Sequence, residues 1–227
     1  MISVVIPAAG LGKRMRADRN KQYLVLQGKP ILAYTIDMFH KQRAITEIIV
    51  VATADEVDFC ERQVVEKYGF TKVKKVIAGG ATREHSVYEG LKEVSKEAQY
   101  VVIHDGVRPF IRQEMLEVFL EKMMFYDALV MAVPEKNTIA RVTNGRIKER
   151  LVRDDVWEMQ TPQAFKKGLI MKAFDAQKER LAEFTDDASV VSAEGIEVCV
   201  FAGEYLNIKI TTPEDLLLGD AILELMK

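Results

Sequence analysis

The feature that most constrains this chain is an alternation. Short apolar runs at Ser3–Ile6, Ile48–Ala52, Val73–Ala78, Tyr100–His104, Ala128–Val133 and Ile196–Phe201 are separated by longer amphipathic stretches. Within the runs the apolar residues fall on consecutive rather than alternate positions, the pattern of strands covered on both faces. Between them, Met115, Leu116, Phe119, Leu120 and Met123 of segment Gln113–Tyr126 share one helical face. A terminal helix is announced by Thr212 as N-cap, Pro213 at the first helical position, and Glu214 and Asp215 in the first turn. Alternating βα units predict an α/β fold with a mainly parallel central sheet between helical layers. At 227 residues the chain suits one domain, 1–227.

One segment departs from the alternation. Thr138–Val142 and Arg146–Val152 flank Asn144-Gly145, a strong hairpin signal in a polar, heavily charged context. This hairpin, residues 134–156, is too polar for a central sheet. It reads as a projecting β-arm that a second copy of the chain would cover, or as a flap on its own domain.

Charge excludes some functions. Lys and Arg total 32 against 34 Asp and Glu, a net −2, so bulk charge does not hold the chain to nucleic acid or to a membrane surface. No apolar run approaches the roughly 18 residues that span a bilayer. Cys60 and Cys199 sit in no metal or disulfide pattern. A cytoplasmic location is expected.

Several loops could carry chemistry. After the first strand come Pro7-Ala8-Ala9-Gly10-Leu11-Gly12-Lys13-Arg14-Met15, with Lys21-Gln22-Tyr23 beyond. Small residues let backbone N–H groups approach phosphate oxygens, and Lys13, Arg14 and Lys21 could balance a polyphosphate. The loop fits neither a dinucleotide-binding nor a Walker fingerprint, and a tight turn with a solvated basic stretch explains it as well. Asp105, in His104-Asp105-Gly106-Val107-Arg108-Pro109, stands at a strand's carboxyl end, where open α/β sheets bind ligands. It could hold Mg²⁺ or accept from a hydroxyl while Arg108 grips a phosphate, or it could pair locally with Arg108. In Gly79-Gly80-Ala81-Thr82-Arg83-Glu84-His85-Ser86, Thr82 is a candidate N-cap. Gln160–Gln163 reads as a turn, Thr185–Ser189 as a helix start, and Asn207–Ile210 as a short strand bearing Lys209.

Taken in order, PAAGLGKRM, KQY, GGATREHSV, HDGVRP, NTI, TPQAF, TDDAS and NIKITTPED are specific. From Val4 to about Leu225 the chain resembles the 2-C-methyl-D-erythritol 4-phosphate cytidylyltransferase family, and near it the ribitol-5-phosphate cytidylyltransferases. The resemblance implies a Rossmann-like nucleotidyltransferase three-layer sandwich, a homodimer joined through the β-arm, and CTP and a sugar-alcohol phosphate as substrates, with Mg²⁺ or another divalent cation. It also implies roles. Pro7, Ala8, Ala9, Gly10, Gly12 and Lys13 would wrap the triphosphate, and Arg14 and Lys21 would stabilise the transition state. Gly80 and Ser86 would recognise cytosine, while Asp105 would serve the metal and the substrate hydroxyls, with Arg108 beside it as a substrate contact. Arg153 and Lys209 would position the acceptor, with Thr138, Thr161 and Thr185 as neighbouring contacts. Many relatives read HDAARP where this chain has HDGVRP, which keeps Asp105 and Arg108 in register. An inactive nucleotide-binding regulator on the same fold is the alternative of another class.

Overall fold

The computed structural model describes residues 1–10 and 20–226. The strands are β1 (Ile2–Pro7), β2 (Val25–Leu26), β3 (Lys29–Pro30), β4 (Ile45–Ala52), β5 (Val73–Ala78), β6 (Tyr100–Ile103), β7 (Ala128–Pro134), β8 (Ala140–Thr143), β9 (Arg146–Arg150), β10 (Trp157–Lys166) and β11 (Cys199–Ala202). The helices are α1 (Ile31–Lys41), α2 (Val57–Cys60), α3 (Arg83–Lys92), α4 (Gln113–Lys122), α5 (Lys167–Ala176), α6 (Asp187–Ser192) and α7 (Pro213–Leu225).

Seven strands form one sheet in the order β11-β7-β10-β6-β1-β4-β5. All neighbours run parallel except β10, which is antiparallel to both β6 and β7. Successive strand residues feed opposite cores, as the pleat requires. Val4, Ile6, Ile48, Val50 and Val102 join Phe39, Leu116 and Phe119 from α1 and α4 on one face. Val5, Ile49, Val51, Val101 and Ile103 join Val87, Phe174 and Val190 from α3, α5 and α6 on the other. That is the three-layer sandwich the alternation predicts. A third cluster, with Phe110, Ile210 and Ile222, seats α7. Among the described residues no helix is long and apolar enough to cross a membrane.

The terminal helix begins as expected, with a capping box between Thr212 and Asp215 and Pro213 inside the first turn. Two local expectations are corrected. Gln160–Gln163 is not a turn but the middle of β10. Its polar side chains are buried yet partnered: Gln163 donates to Asp186, and Gln160 accepts from Asn207. Asn207–Ile210 is not a strand. It belongs to no sheet and is anchored where the Ile210 N–H donates to the Val107 carbonyl at 2.9 Å.

The arm forms as a two-stranded ribbon of β8 and β9, pairing only with itself. Asn144 (φ 51°) and Gly145 (φ 72°) are both left-handed, the requirement of a type I′ turn. Nearly all the ribbon is exposed, including Val142 and Ile147, so it does not lie as a flap on its own sheet.

Candidate active site

The parallel ladder continues past the strand ends and builds the floor of a cavity. Ala8 N–H donates to Val51 at 2.7 Å, Gly79 N–H to Ala52 at 2.8 Å, and Gly106 N–H to Pro7 at 3.1 Å. The turn after β1, the loop before α3 and the Asp105 loop after β6 are thereby fixed at the carboxyl edge of the sheet. They enclose about 370 Å³, lined by Pro7, Ala8, Ala9, Gly10, Lys21, Gly80, Arg83, Ser86, Asp105 and Lys209, among others. The size suits a small organic ligand.

At the α3 end, Thr82 caps the helix by accepting from the His85 N–H. The Ser86 hydroxyl accepts from the Gly80 N–H at 3.1 Å and donates to the Thr82 carbonyl at 2.9 Å. One acceptor lone pair remains on that oxygen. There is no room to add atoms here: a Cβ on Gly79 would stand 2.6 Å from Ser86 Oγ and 2.7 Å from Ala9 Cβ.

At the other end, three cations converge on one carboxylate. Arg83 Nε lies 2.9 Å from Asp105 Oδ1, while Lys209 Nζ and Arg108 Nε lie 2.9 and 3.3 Å from Oδ2. Burial alone would raise the Asp105 pKa, but Arg83, Lys209 and Arg108 hold it well below the usual carboxylate range. Thr161 Oγ1 accepts from the Asp105 N–H at 3.1 Å and lies 3.1 Å from His104 Nδ1. Arg108 also donates to the Asn207 carbonyl at 2.8 Å. His104 lies beneath the site, bound to Thr161 and the Arg108 carbonyl. Its imidazole pKa is lowered to about 4, chiefly by burial.

The structure thus gathers most of the sequence candidates. Pro7, Ala8, Ala9, Gly10, Lys21, Gly80, Ser86, Asp105 and Lys209 line the cavity, and Thr161 and Arg108 hold Asp105 from behind. Gly12, Lys13 and Arg14 lie outside the described residues. Thr138 and Arg153 sit exposed at the two roots of the arm, and Thr185 is exposed just before the Asp186 cap of α6; none of the three lines the cavity. Sequence reasoning gave no role to Arg83 or Gln22. Both line the cavity, but Arg83 finds its partners 22 and 104 residues away, which no local pattern reveals.

Among the described residues there is no group of three or more His, Cys, Asp or Glu side chains that could cage a metal. Asp105 is the one carboxylate among the cavity's described lining residues. Both its oxygens already accept from cations, which does not fit a resident metal centre. A Mg²⁺-like ion that keeps its waters and takes most other ligands from substrate phosphates would ask less of Asp105.

A glycine turn, a helix N-terminus and a strand-end acid surround one cavity on an α/β sheet, and the class they serve, the nucleotidyltransferases, is given by the chain's relatives. Solved structures agree. The 4-diphosphocytidyl-2C-methyl-D-erythritol synthase of Anaerococcus prevotii superimposes with a TM-score of 0.85 at 33% identity, covering 98% of this chain and 96% of that one. The 2-C-methyl-D-erythritol 4-phosphate cytidylyltransferase of Francisella tularensis gives 0.83 at 32% identity, with 97% and 99% covered. Among curated proteins, the 2-C-methyl-D-erythritol 4-phosphate cytidylyltransferase of Alkaliphilus metalliredigens is 43% identical over all of this chain and 94% of its own length. That of Geotalea uraniireducens is 45% identical over 98% and 97%. The family model described as IspD: 2-C-methyl-D-erythritol 4-phosphate cytidylyltransferase matches residues 2–225, and the chain belongs to that family.

Proposed function

We propose that the chain transfers CMP from CTP to 2-C-methyl-D-erythritol 4-phosphate, giving 4-diphosphocytidyl-2-C-methyl-D-erythritol and pyrophosphate for isoprenoid precursor synthesis. The observation that carries this reading is the family match across residues 2–225, laid over a cavity with Ser86 and Gly80 at one end and Lys21, Asp105 and Lys209 at the other. A phosphate oxygen of the acceptor attacks the α-phosphorus of CTP in line. The new P–O bond forms as the bond to the β-phosphate bridge breaks, and that electron pair leaves with pyrophosphate. No enzyme nucleophile is needed, so the residues act by positioning and by stabilising charge.

The Gly10 turn and Lys21 receive the triphosphate, joined by Lys13 and Arg14. The remaining acceptor lone pair on Ser86 suits the exocyclic amine of cytosine and not the carbonyl that uracil has there. Lys209, which Asp105 holds at 2.9 Å, supplies the cation for the acceptor phosphate in this reading. A divalent ion, once bound with the triphosphate near Asp105, would neutralise phosphate charge. Arg153, Thr138 and Thr185 complete the acceptor site when a second copy clasps the arm. Exposed Val142 and Ile147 supply the apolar surface for that homodimer.

The test is pyrophosphate release from CTP with methylerythritol phosphate, ribitol 5-phosphate or no acceptor. Turnover with the first is expected. Preference for ribitol 5-phosphate would reassign the substrate, and silence with both would leave a nucleotide-binding protein.

A further inference from the structure

Arg83, in the first turn of α3, divides its guanidinium between two buried carboxylates. Its Nη1 and Nη2 lie 3.1 and 2.8 Å from Oδ1 and Oδ2 of Asp187, a fork-on-fork pair, while Nε faces Oδ1 of Asp105 at 2.9 Å. The Asp187 side chain is 0% exposed and the Asp105 side chain 7%. We propose that Arg83 is a positioning residue of the transfer reaction: clamped by Asp187 at the start of α6, it fixes the plane of the Asp105 carboxylate so that Oδ2 alone meets Lys209 and Arg108. This role rests on the reaction assigned above.

The geometry argues for more than charge neutralisation. Asp187 needs only the bidentate edge of Arg83, yet the remaining Nε is directed at the cavity acid. A carboxylate held at one oxygen only can turn about its Cβ–Cγ bond and exchange the oxygen it offers. With Oδ1 held by a planar, pre-oriented guanidinium, that freedom is gone. Asp105 in turn holds the Lys209 ammonium, so a loose carboxylate means a misplaced cation beside the reacting phosphates. A misplacement of about 1 Å costs on the order of 10²-fold in rate. A lysine retains the charge but cannot bridge two carboxylates with a fixed fork.

The experiment compares wild type, Arg83→Lys, Arg83→Gln and the double variant Arg83→Gln/Asp187→Asn, recording Tm, kcat and KM for each substrate. The double variant removes the buried charge left unpaired by the single one. Its Tm is expected to recover while kcat stays low by about 10²-fold, and Arg83→Lys is expected to be equally slow, with KM for CTP little changed. If kcat recovers together with Tm, Arg83 only neutralises Asp187 and the proposal falls. A KM rise for CTP that matches the kcat loss, or wild-type kcat in Arg83→Lys, overturns it as well, the latter even if the other variants fail to fold. A wild-type protein inactive with CTP and methylerythritol phosphate would instead remove the assigned reaction, and this role with it.

Discussion

Gln22 donates through Nε2 to the carbonyl oxygen of Ala8 at 2.6 Å. That buried bond ties the short 3₁₀ turn Lys21–Tyr23 to the backbone of the first βα junction. Lys21 is therefore presented to the cavity by its neighbour's anchor.

Replacing Lys21 with Ala should lower kcat by about 10²- to 10³-fold, the scale for losing one preorganised charge at a site where charge develops. The anchor is Gln22, so Tm should hold within a few degrees. Steady-state kinetics with calorimetry checks both, and turnover like that of wild type would take Lys21 off the catalytic list.

Gly79→Ala should act on nucleotide binding. The added methyl would meet Ser86 Oγ at 2.6 Å and Ala9 Cβ at 2.7 Å, two walls of the same cavity. Forcing them apart costs about 1–3 kcal/mol and disturbs the Gly80–Ser86 bond. The expected result is a lower Tm and a higher KM for CTP, with KM for the acceptor little affected.

The pH dependence of stability has a component from His104. Its folded pKa of about 4 lies below the ordinary value of 6.5 because the ring is buried. Between those values the unfolded chain takes up a proton that the folded one refuses. This contribution is complete above about pH 6.5 and drains away as the pH falls towards 4. Denaturation midpoints should therefore slope downward through that window. His104→Gln, although less stable throughout, should show a flatter slope, and an unchanged slope would acquit the imidazole.

The arm supplies a fourth test. Wild type should sediment as the proposed dimer, and charging the arm's apolar residues with Val142→Glu/Ile147→Glu should yield a folded monomer by sedimentation velocity. Arg153→Ala, in contrast, should leave the dimer intact and raise KM for the acceptor much more than for CTP. A Val142→Glu/Ile147→Glu protein that remains dimeric would put the interface elsewhere.

The fold was legible because four of the six apolar runs, those of β1, β4, β6 and β7, are buried along nearly their whole length and announce themselves without help from distant residues; the other two, at β5 and β11, are half-exposed sheet edges rather than strands covered on both faces. β10 did not, since its core is Gln160-Thr161-Pro162-Gln163, whose burial is made possible by partners such as Asn207 and Asp186 far along the chain. Asn207–Ile210 erred in the opposite direction: it reads as strand, yet it joins no sheet and is held by bonds to Val107, Gln160 and Thr161 and by Arg108 reaching the Asn207 carbonyl. At the site, residues in glycine-rich loops and at a strand's end were found because their local patterns have few other uses. Arg83 was passed over because a basic residue in a capped first turn looks like ordinary solvated surface until Asp105 and Asp187 are brought to it.

β10 starts just beyond the arm's root, where Val156 accepts from the Glu135 N–H, and carries Thr161 under the Asp105 loop. One reversed strand is thus a shared beam between the ribbon and the reaction centre. A clasping neighbour or an engineered crosslink on the ribbon would lie a single stretch of backbone away from the hydroxyl beneath Asp105.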